Sequence, residues 1–449
     1  MKEYFREKML ELLRSQQYKR LHDLLQEMNT ADIAEIFQSL DDTDMIIAYR
    51  LLNKDDAVEV FADLENEDQE KLINALTDKE LYEVTSSLLA DDAADLIEEM
   101  PSNVVKRVLR NTDSKKRAII NQLLNYPEDS AGSYMTVEFV DLKANMTVRD
   151  AFTRIRKIGF DTETVYTCYV LSSERVLEGI VTLKELLLAD YDTKLRDMME
   201  TNLITVHTHD DIEFVAKQTE KYGLITMPVV DGEERLVGII TIDDVLEVIQ
   251  DETTEDFELM NALAPAEDTY FRTTVWEHSK NRIIWLLVLM LSSAITGTII
   301  TNYEMAFEAI PALVGFIPML MNTGGNCGSQ SSTLVIRGMA VDEIHLRDFF
   351  KVLWKEIRIS VLVGLVLCVL NMVRIMIQYH DFSIALVVSM TLFVIVMISQ
   401  MLGCCLPMLA SRLKMDPAIM AAPLITTVVD TCSVLVYFSI AVRVLNIGP

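Results

Sequence analysis

Apolar residues recur at helical spacing through residues 2–125 without a strand-like alternation, so this region reads as a series of short amphipathic helices. Three stretches repeat the same design: ADIAEIFQSL from Ala31, DAVEVFADL from Asp56 and DAADLIEEM from Asp92, each with apolar positions set between acids. Repeats of this kind stack into an all-α superhelical solenoid. From residue 135 to 250 the pattern shortens. TCYVLSSERVLEGIVTLKELLLAD and MPVVDGEERLVGIITIDDVLEVI each read as an apolar strand, a polar hairpin turn, a second strand holding Gly179 or Gly238, and a helix. An extended segment and a helix precede each copy, which predicts a tandem α/β pair. A charged, partly helical link, QDETTEDFELMNALAPAEDTYFRTTVWEHSKNR, then runs into a strongly apolar last third.

Four stretches of that third, 283–301, 359–376, 384–408 and 418–442, each approach the roughly 20 residues needed to cross a bilayer. A fifth, 309–336, is punctuated by PMLMNTGGNCGSQSST: Pro318, Gly324, Gly325 and Gly328 weaken a helix, and Asn322, Asn326 and Gln330 are polar. An opened backbone is intolerable in lipid, so this stretch is expected to line a wet cavity. The chain thus reads as a multi-domain α-helical membrane protein: solenoid 1–130, α/β pair 131–252, connecting helix 253–280 and a five-helix transmembrane domain 281–449.

Charge sharpens this division. The chain has 40 Lys/Arg and 68 Asp/Glu; ten and nine of these lie in 281–449, leaving 30 and 59 upstream, a net of −29. So acidic a region repels nucleic acid and anionic lipid headgroups and attracts divalent cations. The six cysteines show no C-x-x-C pair and none has a His at ligand spacing, so neither a disulfide framework nor a zinc site is suggested. The start, MKEYFREKMLELLRSQQ, lacks the pattern of a signal peptide, which places the N-terminus in the cytoplasm. Arg337, Arg347, Lys351, Lys355 and Arg358 after the second span, and Arg412 and Lys414 after the fourth, then lie inside, while Glu304, Glu308 and Asp381 mark outside loops. Five spans with an external C-terminus fit this distribution.

Asp430 lies well inside the last span, in ITTVVDTCSVLVYF, too deep for its short side chain to reach either interface. With Asn322, Gly325, Asn326, Gly328 and Gln330 it supplies carboxylate, amide and carbonyl oxygens. These hard ligands suit Mg2+ or Ca2+, and Mg2+ can pass largely hydrated through outer-sphere hydrogen bonds. One acid per chain is thin for a divalent ion; a two-fold homodimer doubles it.

The α/β pair resembles tandem CBS domains, modules that often bind adenine nucleotides. Its second half keeps the Thr-x-x-Asp of that family as Thr241 and Asp244, with Pro228 beginning a strand, and the resemblance implies a site for ATP or a related nucleotide there. In the first half Thr182 is present and Glu185 replaces the Asp.

The whole order of segments resembles the MgtE family of magnesium channels and transporters. The resemblance rests on Pro318 to Gln330, on T-E-D at Thr254 to Asp256, on Y-P-E-D-S-A-G at Tyr126 to Gly132, and on D-P...P-L-x-T-x-x-D from Asp416 to Asp430. It implies a homodimeric cation pore in the plasma membrane with Asp430 at the ion site, no enzymatic activity, and soluble domains that bind Mg2+ and close the pore. Asp91, Asp92, Asp95, Glu98, Glu255 and Asp256 are the candidate sensing ligands. Two other readings compete: a transporter coupling a divalent ion to Na+ or H+, and a membrane-anchored CBS-type nucleotide sensor.

Overall fold

A computed structural model describes residues 2–160, 162–265, 270, 273–301, 303 and 310–445, in two compact units, Met1–Gln250 and Asp251–Pro449. Glu304 and Glu308, expected in an outside loop, lie outside the described residues.

Short helices run from α1 (Lys2–Arg14) to α10 (Ser114–Leu123). Sequence-local caps start several of them. Thr77 and Glu80 form a reciprocal capping box at α7 (Asp78–Ser87), and Asp113 accepts from the Lys115 and Lys116 amides at the start of α10. None is long enough to persist alone, so stability comes from tertiary packing of their apolar faces. Next-but-one helices meet: α3 (Thr30–Phe37) with α5 (Lys54–Ala62), α5 with α7, α7 with α9 (Ser102–Arg110), and α8 (Ala90–Glu99) with α10. One buried core runs through this region, with Leu21, Phe37, Phe61, Leu72 and Leu81 fully enclosed.

The two α/β repeats fold alike. β1 (Phe139–Leu142) pairs parallel with β2 (Thr164–Leu171), which pairs antiparallel with β3 (Leu177–Thr182); α11 (Val148–Ile158) links β1 to β2, and α12 (Leu183–Leu188) follows β3. The second copy has β4 (Val206–His207), α13 (Ile212–Tyr222), β5 (Thr226–Val230), β6 (Leu236–Thr241) and α14 (Ile242–Met260) in the same arrangement. The repeats share an apolar seam of Phe139, Tyr169, Leu171, Leu236 and Ile239, with the Tyr169 hydroxyl 2.7 Å from that of Thr226. Gly179 and Gly238 serve equivalent purposes: a Cβ on the first would strike Met199, and on the second Met135.

Segment 253–280 is not one connecting helix. α14 begins inside the second repeat and ends at Met260, and α15 (Val275–Thr301) carries the rest of the link into the first span. Three further helices are also long and apolar enough to cross a membrane: α17 (Phe349–Tyr379), α18 (Phe382–Arg412) and α19 (Ala422–Leu445), the first and last extended by short 3-10 turns. The punctuated stretch forms α16, an unbroken helix over Ile317–Ala340 preceded by a 3-10 turn at Pro311–Phe316. The expected opening of its backbone is absent because the glycines pack instead of breaking. Pro318 occupies the first turn, where its missing N–H costs nothing.

α18 is the central helix, packed on α16, α17 and α19. It meets α16 so closely that a Cβ on Gly403 would collide with the carbonyl oxygen of Gly328. This is the small-residue packing by which membrane helices associate without a hydrophobic driving force. Lys351, Lys355 and Arg358, expected in a loop, belong to the first turns of α17.

Candidate ion path and acid cluster

α16 has two faces. Gly324, Gly325, Cys327, Gly328, Ser331 and Ser332 are buried against its neighbours. Asn322, Asn326, Gln330, Thr333 and Arg337 are exposed in the single chain and recur at three- and four-residue intervals, one stripe of a helix. A shallow groove on this face is lined by Asn326, Ser329, Gln330, Thr333 and Leu334. Gly325 and Gly328, expected as carbonyl donors to an ion, are corrected here: their carbonyls lie within a regular helix. A Cβ on Gly325 would meet Thr426, and one on Gly328 would meet Ile425. They bring α19 close to the polar stripe.

Asp430 sits on α19, half-buried, one helical turn beyond Thr426. Gly324 packs on Val429 and Ser433 and Gly328 on Ile425 and Val429, so the two helices run antiparallel and Asp430 lies level with the Gly324–Gly325 pair, at mid-helix. Beside it, the Thr431 hydroxyl is 2.7 Å from that of Thr296, the one fully buried residue of α15. Sequence reasoning missed a second acid in this unit. Glu356 on α17 is 7% exposed and accepts a hydrogen bond from Ser331 at 2.8 Å. Its charged neighbours in the sequence made it read as a loop residue.

The sensing candidates divide. Asp91 and Asp92, in the first turn of α8, lie within electrostatic reach of Asp244 in the first turn of α14. Burial raises the Asp91 carboxyl well above its ordinary value, with Asp92, Asp244 and Glu163 adding to the effect. Burial likewise raises Asp92 and Asp244. Glu163, in the loop before β2, is pushed up to about 7 by burial and by Asp243, Asp244, Asp92 and Glu138. Among these acids stands Lys116, whose amine is lowered by burial despite the surrounding carboxylates and donates to the Leu88 carbonyl. Glu163, Glu138 and Lys116 carry no sequence signal of this role, since tertiary packing of loops and a helix distant in sequence gathers them. Asp95 and Glu98 are exposed on α8, and Glu255 and Asp256 lie near the end of α14 in the other unit.

Acids at this density destabilise one another, and a hard divalent cation relieves them. One Asp91 oxygen is buried without a hydrogen-bond partner, which fits an ion-binding role. Among the described residues no three His, Cys, Asp or Glu side chains are already arranged around a metal position.

The nucleotide candidates fall at the same place. Asp244 accepts from the Thr241 hydroxyl at 2.6 Å and from its amide, capping α14, and Pro228 lies in β5. In the first repeat Glu185 caps α12 through Thr182 in the same way, so its replacement of Asp preserves the helix start. Asp244, expected only as a nucleotide residue, thus also lies within electrostatic reach of the sensing candidates Asp91 and Asp92.

Three family models match the chain in order: the MgtE intracellular N domain over 28–129, CBS domains over 131–192 and 195–251, and a divalent cation transporter model, MgtE, over 317–440. The magnesium transporter MgtE of Thermus thermophilus is 35% identical over 354 residues, covering 78% of each chain. That of Bacillus subtilis is 31% identical over 430 residues, 96% of this chain and 95% of the relative. A solved cytosolic domain of the Mg2+ channel MgtE in complex with ATP is 33% identical, with a TM-score of 0.52, and matches 54% of this chain and 99% of that one. The soluble part of a magnesium transporter gives 30% identity and a TM-score of 0.53 over 56% and 99%. With the intracellular N domain, the CBS pair and the transporter model matched in order, and relatives at 31–35% identity over most of the chain, this chain belongs to the MgtE family of divalent cation transporters, membrane proteins that are not enzymes.

Proposed function

We propose that two copies of this chain form a Mg2+ pore in the plasma membrane, lined by the polar stripe of α16 and by Asp430. The carrying observation is the exposure of Asn322, Asn326, Gln330 and Thr333 on a helix packed among membrane spans. Amides facing hydrocarbon lose their hydrogen bonds to water, so this stripe faces water or a second polar surface. A two-fold mate meets both conditions and sets two Asp430 carboxylates across one path. Exposed apolar side chains on α15 and α17, among them Leu286, Leu291, Leu362 and Leu365, face lipid. The N-terminus is cytoplasmic and the C-terminus external.

Closure by internal Mg2+ follows from the acid cluster. Packing Asp91, Asp92, Glu163 and Asp244 together costs free energy without a cation. Mg2+ shifts the population toward the packed, closed state by as much as it binds that state better. ATP occupies the second CBS repeat near Pro228, Thr241 and Asp244, in keeping with the ATP complex of the relative's cytosolic domain.

The test is Mg2+ flux into liposomes holding purified protein, with internal and external Mg2+ varied separately. Asp430→Asn, nearly isosteric, and Asn326→Leu should each cut flux strongly while leaving the dimer folded. Wild-type flux and selectivity in both would overturn the pore assignment.

A further inference from the structure

α16 is held by hydroxyl groups at two consecutive positions that face different partners. Ser331 lies 2.8 Å from Glu356 Oε2 on α17 and 3.1 Å from the Gln400 carbonyl oxygen on α18. Ser332 donates to the Met420 carbonyl at 3.0 Å, in the 3-10 turn Pro417–Met420 that leads into α19. Consecutive residues of an α-helix point about 100° apart around the axis, because one turn takes about 3.6 residues. Two bonds so disposed oppose rotation of the helix in either sense.

The middle of the buried face of α16 is made of small residues, Gly324, Gly325, Cys327, Gly328, Ser331 and Ser332, while Ile317, Leu320, Val335 and Ile336 anchor its two ends. In that middle stretch, which backs the polar stripe, no large side chain interlocks with a groove, so the hydroxyl bonds add rotational restraint there. Glu356 is the unusual element. A nearly buried carboxylate is costly without a partner, and its one hydrogen-bond partner among the described residues is Ser331. The side chain lies on the face of α16 opposite the polar stripe. It is therefore set apart from the path proposed above.

We propose that Glu356 is a positioning residue for conduction: through Ser331, and together with the Ser332–Met420 bond, it fixes the rotation of α16 that aims Asn322, Asn326 and Gln330 into the ion path. The inference rests on the pore reading given above. Rotation by even part of one residue's angle would turn the amides toward neighbouring helices and change which ions are held, beyond how many pass.

The experiment compares Glu356→Ala, Glu356→Gln, Ser331→Ala and the double Ser331→Ala/Glu356→Ala variant in full-length protein. Mg2+ flux and the Mg2+/Na+ permeability ratio from reversal potentials are measured in planar bilayers, with Asn326→Leu and Asp430→Asn as the controls. Losing one buried hydrogen bond to a charged group should lower flux and the permeability ratio by about tenfold in Ser331→Ala and in Glu356→Ala. The double variant should be no worse than Glu356→Ala alone, since both remove the same bond. Glu356→Gln, whose amide oxygen still accepts from Ser331, should stay within about threefold of wild type. A wild-type permeability ratio in Ser331→Ala, while Asn326→Leu abolishes flux, overturns the positioning role and leaves the pore reading standing. Should Asn326→Leu and Asp430→Asn both also conduct normally, the pore reading itself fails. If Glu356→Ala does not fold, Ser331→Ala and Glu356→Gln decide the matter, and equal losses in those two would also refute the proposal.

Discussion

Replacing Glu163 with glutamine should make the soluble region more stable in the absence of Mg2+, and only at neutral or alkaline pH. Burial and four neighbouring acids push the Glu163 carboxyl from 4.5 up to about 7. Its folded-state value lies above the unfolded one. The stability it contributes is therefore fully present below about pH 4.5 and is lost as pH rises through about 7. A shift of that size corresponds to roughly 3 kcal/mol if the site were dry. The side chain is only half-buried, and solvent screening reduces the effect to about 1–2 kcal/mol. For a region of about 250 residues that is a rise in Tm of roughly 2–6 °C at pH 8, shrinking to a small fraction of that at pH 5 and to nothing below about pH 4.5. The assay is thermal unfolding of the 1–250 fragment in chelator across pH 5 to 8, with and without saturating Mg2+. Wild type should gain more from Mg2+ at pH 8 than at pH 5, and the variant should gain less than wild type. Coincident melting curves for the two proteins at pH 8 in chelator would refute the idea that these acids repel one another across the packed helices.

Three further outcomes are expected. Removing residues 1–125 should leave conduction intact but weaken closure by internal Mg2+, read as a several-fold rise in the concentration that halves the flux. Asp244→Ala should abolish ATP binding by calorimetry, and loss of the α14 cap should lower stability by about 1 kcal/mol. Gly403→Ala forces a methyl group against the Gly328 carbonyl, so α16 and α18 must separate; the yield of folded protein should fall, with a loss of about 1–3 kcal/mol in denaturation of the purified protein.

The sequence made the segment order legible because each segment carries its own period: helical spacing in 1–130, paired strands in 131–252, long apolar runs thereafter. It also singled out Asp430, an acid flanked on both sides by apolar residues. It misread the Gly-rich stretch, since glycine weakens a helix in water but in a membrane bundle is also what allows helices to touch; only the packing of Gly328 on Gly403 and Ile425 decides between the two. Glu163, Glu138 and Lys116 were invisible because their partners are distant in sequence. Glu356 was hidden by Lys355 and Arg358, whose charges extend a loop signature into what is the first part of α17.

α14 crosses the boundary between the two units. It holds 19 residues, so at about 1.5 Å per residue it is a rod roughly 28 Å long. At one end Asp244 both caps the rod and faces Asp91 and Asp92. At the other, Leu259 and Met260 rest on Ile336, Ala418 and Ala421, beside the end of the helix that carries the polar stripe. One continuous helix is therefore shared: its first turn belongs to the second CBS repeat, and its last residues belong to the packing of the apolar helices.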